Sequence, residues 1–177
     1  MNNNYTVIGQ PDLRIDDDTW KQIANLEEAI TDAFNAALFV ADLSVKAYGE
    51  TVSATIVLSD DARLEQLNSQ WRSKPKPTNV LSFPAPQGER DENGNRYLGD
   101  MILAYGVVAG EALQQSKALE TYLCHLVIHG ALHLLGFDHM EDDEADKMEN
   151  LEKAAMKELN LPDPYLPVSA KQENTET

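Results

Sequence analysis

Residues 129–139 read HGALHLLGFDH, and three of the chain's four histidines fall inside this stretch. His129 and His133 stand four residues apart, so on a helix they leave the same face about one turn apart. Gly136 follows three residues after His133. There a helix can end by entering the left-handed conformation that glycine tolerates best. The chain is then free to turn back and bring His139 to the same point in space. Three neutral imidazoles converging from a helix and the turn after it suit a tetrahedral Zn²⁺ whose fourth position is left to water. Such a site has a catalytic form, because a structural zinc site takes four protein ligands. Three imidazoles also accept other divalent transition metals.

His125 extends the same helical stripe, since His125, His129 and His133 are spaced i, i+4, i+8. One ion cannot bridge i and i+8, which are about 12 Å apart along a helix. Only the His129/His133 pair has the glycine break and a third histidine on the correct side. His125 is therefore read as a packing residue or a support behind the ligands. Cys124, the single cysteine, lies between Leu123 and His125 on an apolar stretch and reads as a small buried hydrophobe. One cysteine forms no internal disulfide, which is compatible with a reducing compartment.

The 177-residue length suits one domain with an adequate core, expected over residues 1–165, with 166–177 as a disordered tail. The first ten residues, MNNNYTVIGQ, lack the basic-then-apolar order of a secretory signal, and no run of 18 apolar residues is present. A cytoplasmic protein with no membrane partner is expected. The formal net charge of −16 argues against broad, non-specific nucleic-acid binding, which rests on phosphate neutralisation. The charge is uneven, however. Residues 72–87 hold Arg72, Lys74 and Lys76 and no acid, whereas 138–152 hold eight acids and one lysine. The acidic run reads as a solvated helix face, its first-turn acids complementing the helix dipole.

Along the chain, residues 5–9 suggest a short strand, and Asp18 or Thr19 caps a helix expected to run to about Leu38. Residues 42–48 and 52–58 read as paired strands joined near Gly49. A helix starting at Asp60 or Asp61 runs through about Trp71, and a proline-containing loop leads to a short strand at 79–83. The polar stretch 86–96, with its Asn93-Gly94 turn signal, is expected to be a flexible connection. A strand at 98–105 and helices near 107–116, 118–135 and 141–160 complete the reading. Strands come early and helices late. The expected class is α+β, a small mixed sheet packed with helices, with the metal site at the end of a long helix and its following turn.

The spacing H-x-x-x-H-x-x-G-x-x-H matches the metzincin metalloprotease pattern with one substitution: Gly130 stands where those enzymes carry the glutamate base. A protease without that carboxylate lacks the group that takes the proton from the attacking water. A second family fits better. HGALHLLGFDH, preceded by PTNVLSFP at 77–84 and LGDMILAY at 98–105, with a helix ending in LNSQWR at 67–72, closely resembles the YbeY family of bacterial rRNA maturation endoribonucleases. The likeness is strong over residues 40–140.

This resemblance implies a metal-dependent, single-strand-specific endoribonuclease that acts on rRNA, including the 3′ end of 16S rRNA, in contact with the ribosome or ribosomal proteins. It implies that His129, His133 and His139 hold the metal, with His129 and Arg72 the residues expected to carry catalysis. The family usually reads T-D-V-L-S-F-P, and here Asn79 replaces the aspartate. An amide keeps one acceptor but loses the charge. A three-histidine Zn²⁺ would lower the pKa of its water to about 7 and polarise a phosphate. Arg72, permanently charged and bidentate, is the candidate phosphate clamp. Lys74 and Lys76 are candidates to guide the RNA backbone. Asp138, beside the last ligand, and Asp100, after Gly99, are candidates to orient a histidine or the substrate. The rival readings are a zinc metallopeptidase-like hydrolase and a non-catalytic ribosome assembly factor.

Overall fold

The computed structural model describes residues 9–41 and 51–168. In chain order the elements are β1 (Asp12–Ile15), a 3-10 turn (Asp18–Gln22), α1 (Leu26–Val40), β2 (Val52–Ser59), α2 (Asp61–Arg72), β3 (Val80–Pro84), β4 (Arg96–Ala104), α3 (Tyr105–Gln114), α4 (Leu119–Leu134) and α5 (Asp142–Glu158). The four strands form one sheet in the order β1-β2-β4-β3. β1 and β2 run parallel, as do β2 and β4, while β3 pairs antiparallel with β4. The sheet is thus mixed, as expected, and β1 and β3 are its edges among the described residues.

Alternation along the strands divides the apolar side chains between two faces. On β4, Met101 and Leu103 join the main core with Ile56 and Leu58 of β2, Phe34 and Leu38 of α1, and Leu123 and Ile128 of α4. Ile102 and Ala104 point the other way, onto a smaller cluster with Leu64 and Leu67 of α2 and Leu81 of β3. The sheet therefore lies between α1 and α4 on one face and α2 on the other. β3 follows the same rule: Leu81 and Phe83 pack toward α2, while the Ser82 hydroxyl donates to the Gly130 carbonyl of α4 at 3.2 Å.

Several local expectations hold. Asp60 caps α2, its carboxylate accepting from the Arg63 N–H at 2.8 Å. Cys124 is buried, and burial pushes its thiol up to about 12, so it is no nucleophile at neutral pH. Others are corrected. The single helix expected from Asp18 to Leu38 is broken: Asn25 adopts a left-handed φ of 54°, and the 3-10 turn before it is capped by Asp17. The break lets Trp20 enter the core and donate from Nε1 to the Ser59 carbonyl at 2.8 Å. The strand β1 was not expected, because its four residues are short and only half-buried on alternate positions. The connection 86–96 is not a loose link. Asp91 accepts from Ser53 Oγ and Asn95 Nδ2, at 2.7 and 3.0 Å, and from the Asn93 and Asn95 N–H groups. The strand expected at 42–48, the turn near Gly49 and the tail past Val168 lie outside the described residues, as does the 5–9 strand apart from Gly9, which bridges Val52.

The β2–β4 register slips between Ser53 and Thr55, opposite Gly99. Gly99 has φ +130°, and a Cβ there would lie 2.1 Å from the Phe83 carbonyl oxygen. Neither the backbone angle nor the neighbour can give. Gly110, exposed in mid-α3, has nothing within 4 Å of a Cβ. Gly99→Ala is expected to cost well over about 1 kcal/mol. Gly110→Ala is expected to add about 0.5–1 kcal/mol. Urea denaturation of both variants, with unchanged slopes, checks the opposite signs.

Candidate metal centre

The end of α4 is closed by two backbone bonds. The Phe137 N–H donates to the Leu132 carbonyl at 3.1 Å and the Gly136 N–H to the His133 carbonyl at 3.0 Å, with Gly136 at φ +96°. This is the glycine-dependent helix stop expected from the sequence. The turned-back chain has two consequences. It carries His139 to the other two histidines, and it presents the Phe137 carbonyl to His133 Nδ1 at 2.9 Å.

A carbonyl only accepts, so His133 Nδ1 carries a proton and its Nε2 does not. His129 is fixed in the same way: its Nδ1 lies 2.6 Å from Glu152 Oε1. Burial acts to raise the Glu152 carboxyl, but the His125 and His129 rings and the Tyr165 hydroxyl facing it outweigh this and hold it at about 2. Glu152 is thus a carboxylate, and His129 Nδ1–H donates to it. The Nε2 atoms of His129 and His133 face each other 3.1 Å apart, and in the neutral form of each ring that nitrogen is the free acceptor. Burial first, and then the neighbouring His129 and His139 rings, hold His133 below the ordinary imidazole range.

His139 completes the group, with one ligand nitrogen from each residue and all three within 4.8 Å of one another. Nitrogens on a tetrahedral Zn²⁺ stand roughly 3.3 Å apart, from Zn–N lengths of about 2.0–2.1 Å. Three imidazole nitrogens gathered at this spacing are compatible with a metal site. Asp138, expected as a possible orienting group, accepts from the His139 backbone N–H at 2.7 Å, and its carboxylate is 3.8 Å from His139 Nδ1.

Glu152 corrects the reading of the acidic run. Asp138, Glu141, Asp142, Asp143, Glu144 and Asp146 are exposed, as a solvated face requires, whereas the Glu152 side chain is 1% exposed. It lies on the apolar stripe of α5, one turn from Met148 and three residues from Ala155, and that stripe packs inward. An acid on an apolar stripe, in a chain whose neighbouring helix carries His125, His129 and His133 one turn apart, was the signal available. His125 behaves as the expected support. Its Nε2 is 3.3 Å from Glu152 Oε1 and its ring packs edge-on against Tyr165, but neither nitrogen is aligned for a hydrogen bond. Tyr165, from the segment after α5, donates its hydroxyl to Glu152 Oε2.

The histidines open onto a cleft of about 770 Å³ between the end of α4, the edge strand β3 and the C-terminal end of α2. Of the residues singled out by sequence, Arg72, Asn79, Asp138 and the three histidines line it. The Arg72 side chain has no hydrogen-bond or ion-pair partner among the described residues. Lys74 and Lys76 sit in the exposed loop just beyond the lining, and Asp100 lies outside the cleft, accepting from the Tyr97 hydroxyl at 2.7 Å. Trp71, Ser82, Phe83 and Met140 also line the cleft and were not singled out. A separate apolar cavity of about 410 Å³ beside Tyr122 contains His125 alone of the histidines.

The family described as Endoribonuclease YbeY matches residues 14–160. Curated relatives of that name from Azorhizobium caulinodans and Novosphingobium aromaticivorans are each 42% identical, over 161 and 163 residues. The matches cover 87% and 88% of this chain and 94% and 96% of theirs. The chain belongs to the endoribonuclease YbeY family. Its fold is shared by TM1509 from Thermotoga maritima, whose solution structure matches with a TM-score of 0.50 at 23% identity, covering 85% of this chain and 92% of that one.

Within this YbeY fold, a side chain at Gly130 would have to displace the Met101 thioether. A Cβ there would lie 2.7 Å from both Met101 Sδ and Cε, against the sheet. The Asn79 departure also finds its reason. Asn79 Nδ2 donates to Glu111 Oε2 at 3.0 Å, and the Tyr122 hydroxyl donates to the same oxygen. Burial, and then Glu111, push the Tyr122 hydroxyl up to about 12, so it remains a donor. Asn79 therefore serves Glu111 and contacts none of the three clustered histidines. An aspartate at 79 would set two carboxylates against each other.

Asn79→Asp is expected to lose about 1–3 kcal/mol near pH 8. The folded pair would hold a shared proton at a pH where the unfolded chain has released it, so the loss shrinks as pH falls toward 5. Adding Glu111→Gln restores a donor and recovers most of the stability. Urea denaturation of the single and double variants at both pH values measures this.

Proposed function

We propose that this chain is a metal-dependent endoribonuclease that cuts single-stranded RNA during rRNA maturation, including the 3′ end of 16S rRNA, and in ribosome quality control. The observation that carries this reading is the pairing, in one cleft, of three converging imidazole nitrogens with an uncommitted guanidinium. Relatives named endoribonuclease, over nearly the whole chain, support the reaction class.

His129, His133 and His139 are the proposed ligands of one Zn²⁺. When bound, the ion supplies Lewis acidity to the attacking water and the scissile phosphate. The remaining work falls to the protein. Glu152 and the Phe137 carbonyl take up the Nδ1 protons of two rings, so that in their neutral form Nε2 faces the metal position. Arg72 pairs with two phosphate oxygens and stabilises charge that develops there. The Asp138 carboxylate keeps His139 at the cleft by fixing its backbone.

The net charge of −16 and an RNA substrate are reconciled by location. The acids lie on α5 and elsewhere, while the segment from Arg72 to Gln87 carries only basic charge. The acidic surface repels unspecific RNA, and ribosomal partners in the cytoplasm contribute the rest of the binding. None of the helices is long and apolar enough to cross a membrane among the described residues.

In an assay on labelled single-stranded RNA with added Zn²⁺, the parent protein is expected to cut and a chelator to stop it. His129→Ala should lose both metal and cleavage. Arg72→Ala should keep the metal and lose about 10²–10³-fold in rate. A protein that binds zinc but leaves RNA intact, or an Arg72→Ala variant as fast as the parent, overturns the assignment. Glu152→Gln should weaken zinc binding about 10–100-fold, read by competition with a chromophoric chelator, because the orienting carboxylate is gone.

A further inference from the structure

Trp71 is the penultimate residue of α2, and it is 65% exposed. The inward residues of that helix, Leu64, Leu67 and Asn68, are buried, so Trp71 does not serve the core. It lines the histidine cleft instead, resting edge-on against Phe83 of β3 with ring centroids 6.2 Å apart. Phe83 is its one ring contact among the described residues, and most of the Trp71 surface stays exposed. Beside it stand Arg72 and, in the following loop, Lys74 and Lys76, with no acid from 71 to 87. Asp138, in the turn between α4 and α5, is the one acid among the described residues that line the cleft.

We propose that Trp71 is a nucleobase-stacking subsite for the RNA strand, fixing which nucleotide stands next to the scissile phosphate. This deepens, and rests on, the reading of the cleft as RNA-cleaving. The occupant follows from chemistry on both sides of the ring. A flat aromatic face accepts any unpaired base, and the neighbouring cations, in a segment without acids from 71 to 87, suit a phosphate backbone. A chain with a net charge of −16 gains little from long-range attraction, so a contact independent of charge has more to supply. Base stacking on an aromatic ring is lost roughly 5- to 100-fold in affinity on truncation. A double helix keeps its bases stacked internally and has none to offer, so the subsite selects single strands.

The chain has two tryptophans, and Trp20 is fully buried, so quenching of the exposed fluorophore reports on Trp71. The probe is a ten-nucleotide single-stranded oligoribonucleotide, titrated into full-length protein with zinc chelated so that no strand is cut. It is expected to quench Trp71 and shield it from acrylamide, whereas a duplex of the same sequence is not. Trp71→Leu, apolar but without a ring, should weaken binding roughly 5- to 100-fold, and Trp71→Phe should retain most of it. An abasic nucleotide at one position should reproduce the loss in the parent and cost nothing further in Trp71→Leu. An unquenched indole, or an abasic profile identical in parent and Trp71→Leu, overturns the subsite. The cleavage assay with zinc separates the two readings. RNA cut equally well, at the same positions, by Trp71→Leu removes the subsite and leaves the nuclease standing. Quenching with abasic coupling, in a protein that cuts no RNA, keeps the subsite and removes the nuclease.

Discussion

The hydrogen bond from His129 to Glu152, 2.6 Å long and enclosed between α4 and α5, governs the chemistry of the cleft. A buried carboxylate is costly unless donors surround it. Here His129 and Tyr165 each complete a bond to one of its oxygens, and the His125 ring stands against it at 3.3 Å. The carboxylate keeps its charge, and in keeping it commits the His129 Nδ1 proton. The Phe137 carbonyl does the same for His133. The Nε2 atoms of the two rings are thereby turned toward each other and the cleft, 3.1 Å apart, where a cation can meet both.

The same interaction ties distant segments together. α5 packs its apolar stripe on α1 and α4, and Glu152 is the one acid on that stripe among the buried residues. Tyr165 folds the segment after α5 back onto the histidine helix. On the other side of the cleft, Ser82 binds the Gly130 carbonyl and Asn79 reaches Glu111, joining the edge strand to α4 and α3. The histidine end of α4 is therefore held from both flanks, and only the cleft side is open. That rigidity suits a site whose groups must hold their geometry before substrate arrives.

Charge is distributed to match. The cleft has an uncommitted arginine at the end of α2 and, in the turn before α5, Asp138 as the one acid among its described lining residues, so a polyanion meets attraction on the α2 side. The exposed Trp71 beside Arg72 lies on the attractive rim.

Local rules were enough for much of this protein. The i, i+4 histidines, the glycine stop and the third histidine specify a helix, its end and a three-imidazole cluster, because each depends on spacing within eleven residues. The α+β class and the limits of α2, α4 and α5 follow from periodicity and capping, and the motif blocks carry the family. Contacts between segments far apart in sequence lay beyond such rules. Glu152 looks like one more surface acid until α5 is docked, 23 residues from its partner His129. Asn79 looks like a weakened support until Glu111 arrives from α3. The break at Asn25 and the ordering of residues 86–96 around Asp91 likewise depend on Trp20 and Ser53 finding distant partners. Spacing along the chain determines which ligands can meet; only tertiary packing decides which groups lose water, and so which protons and charges those ligands must share.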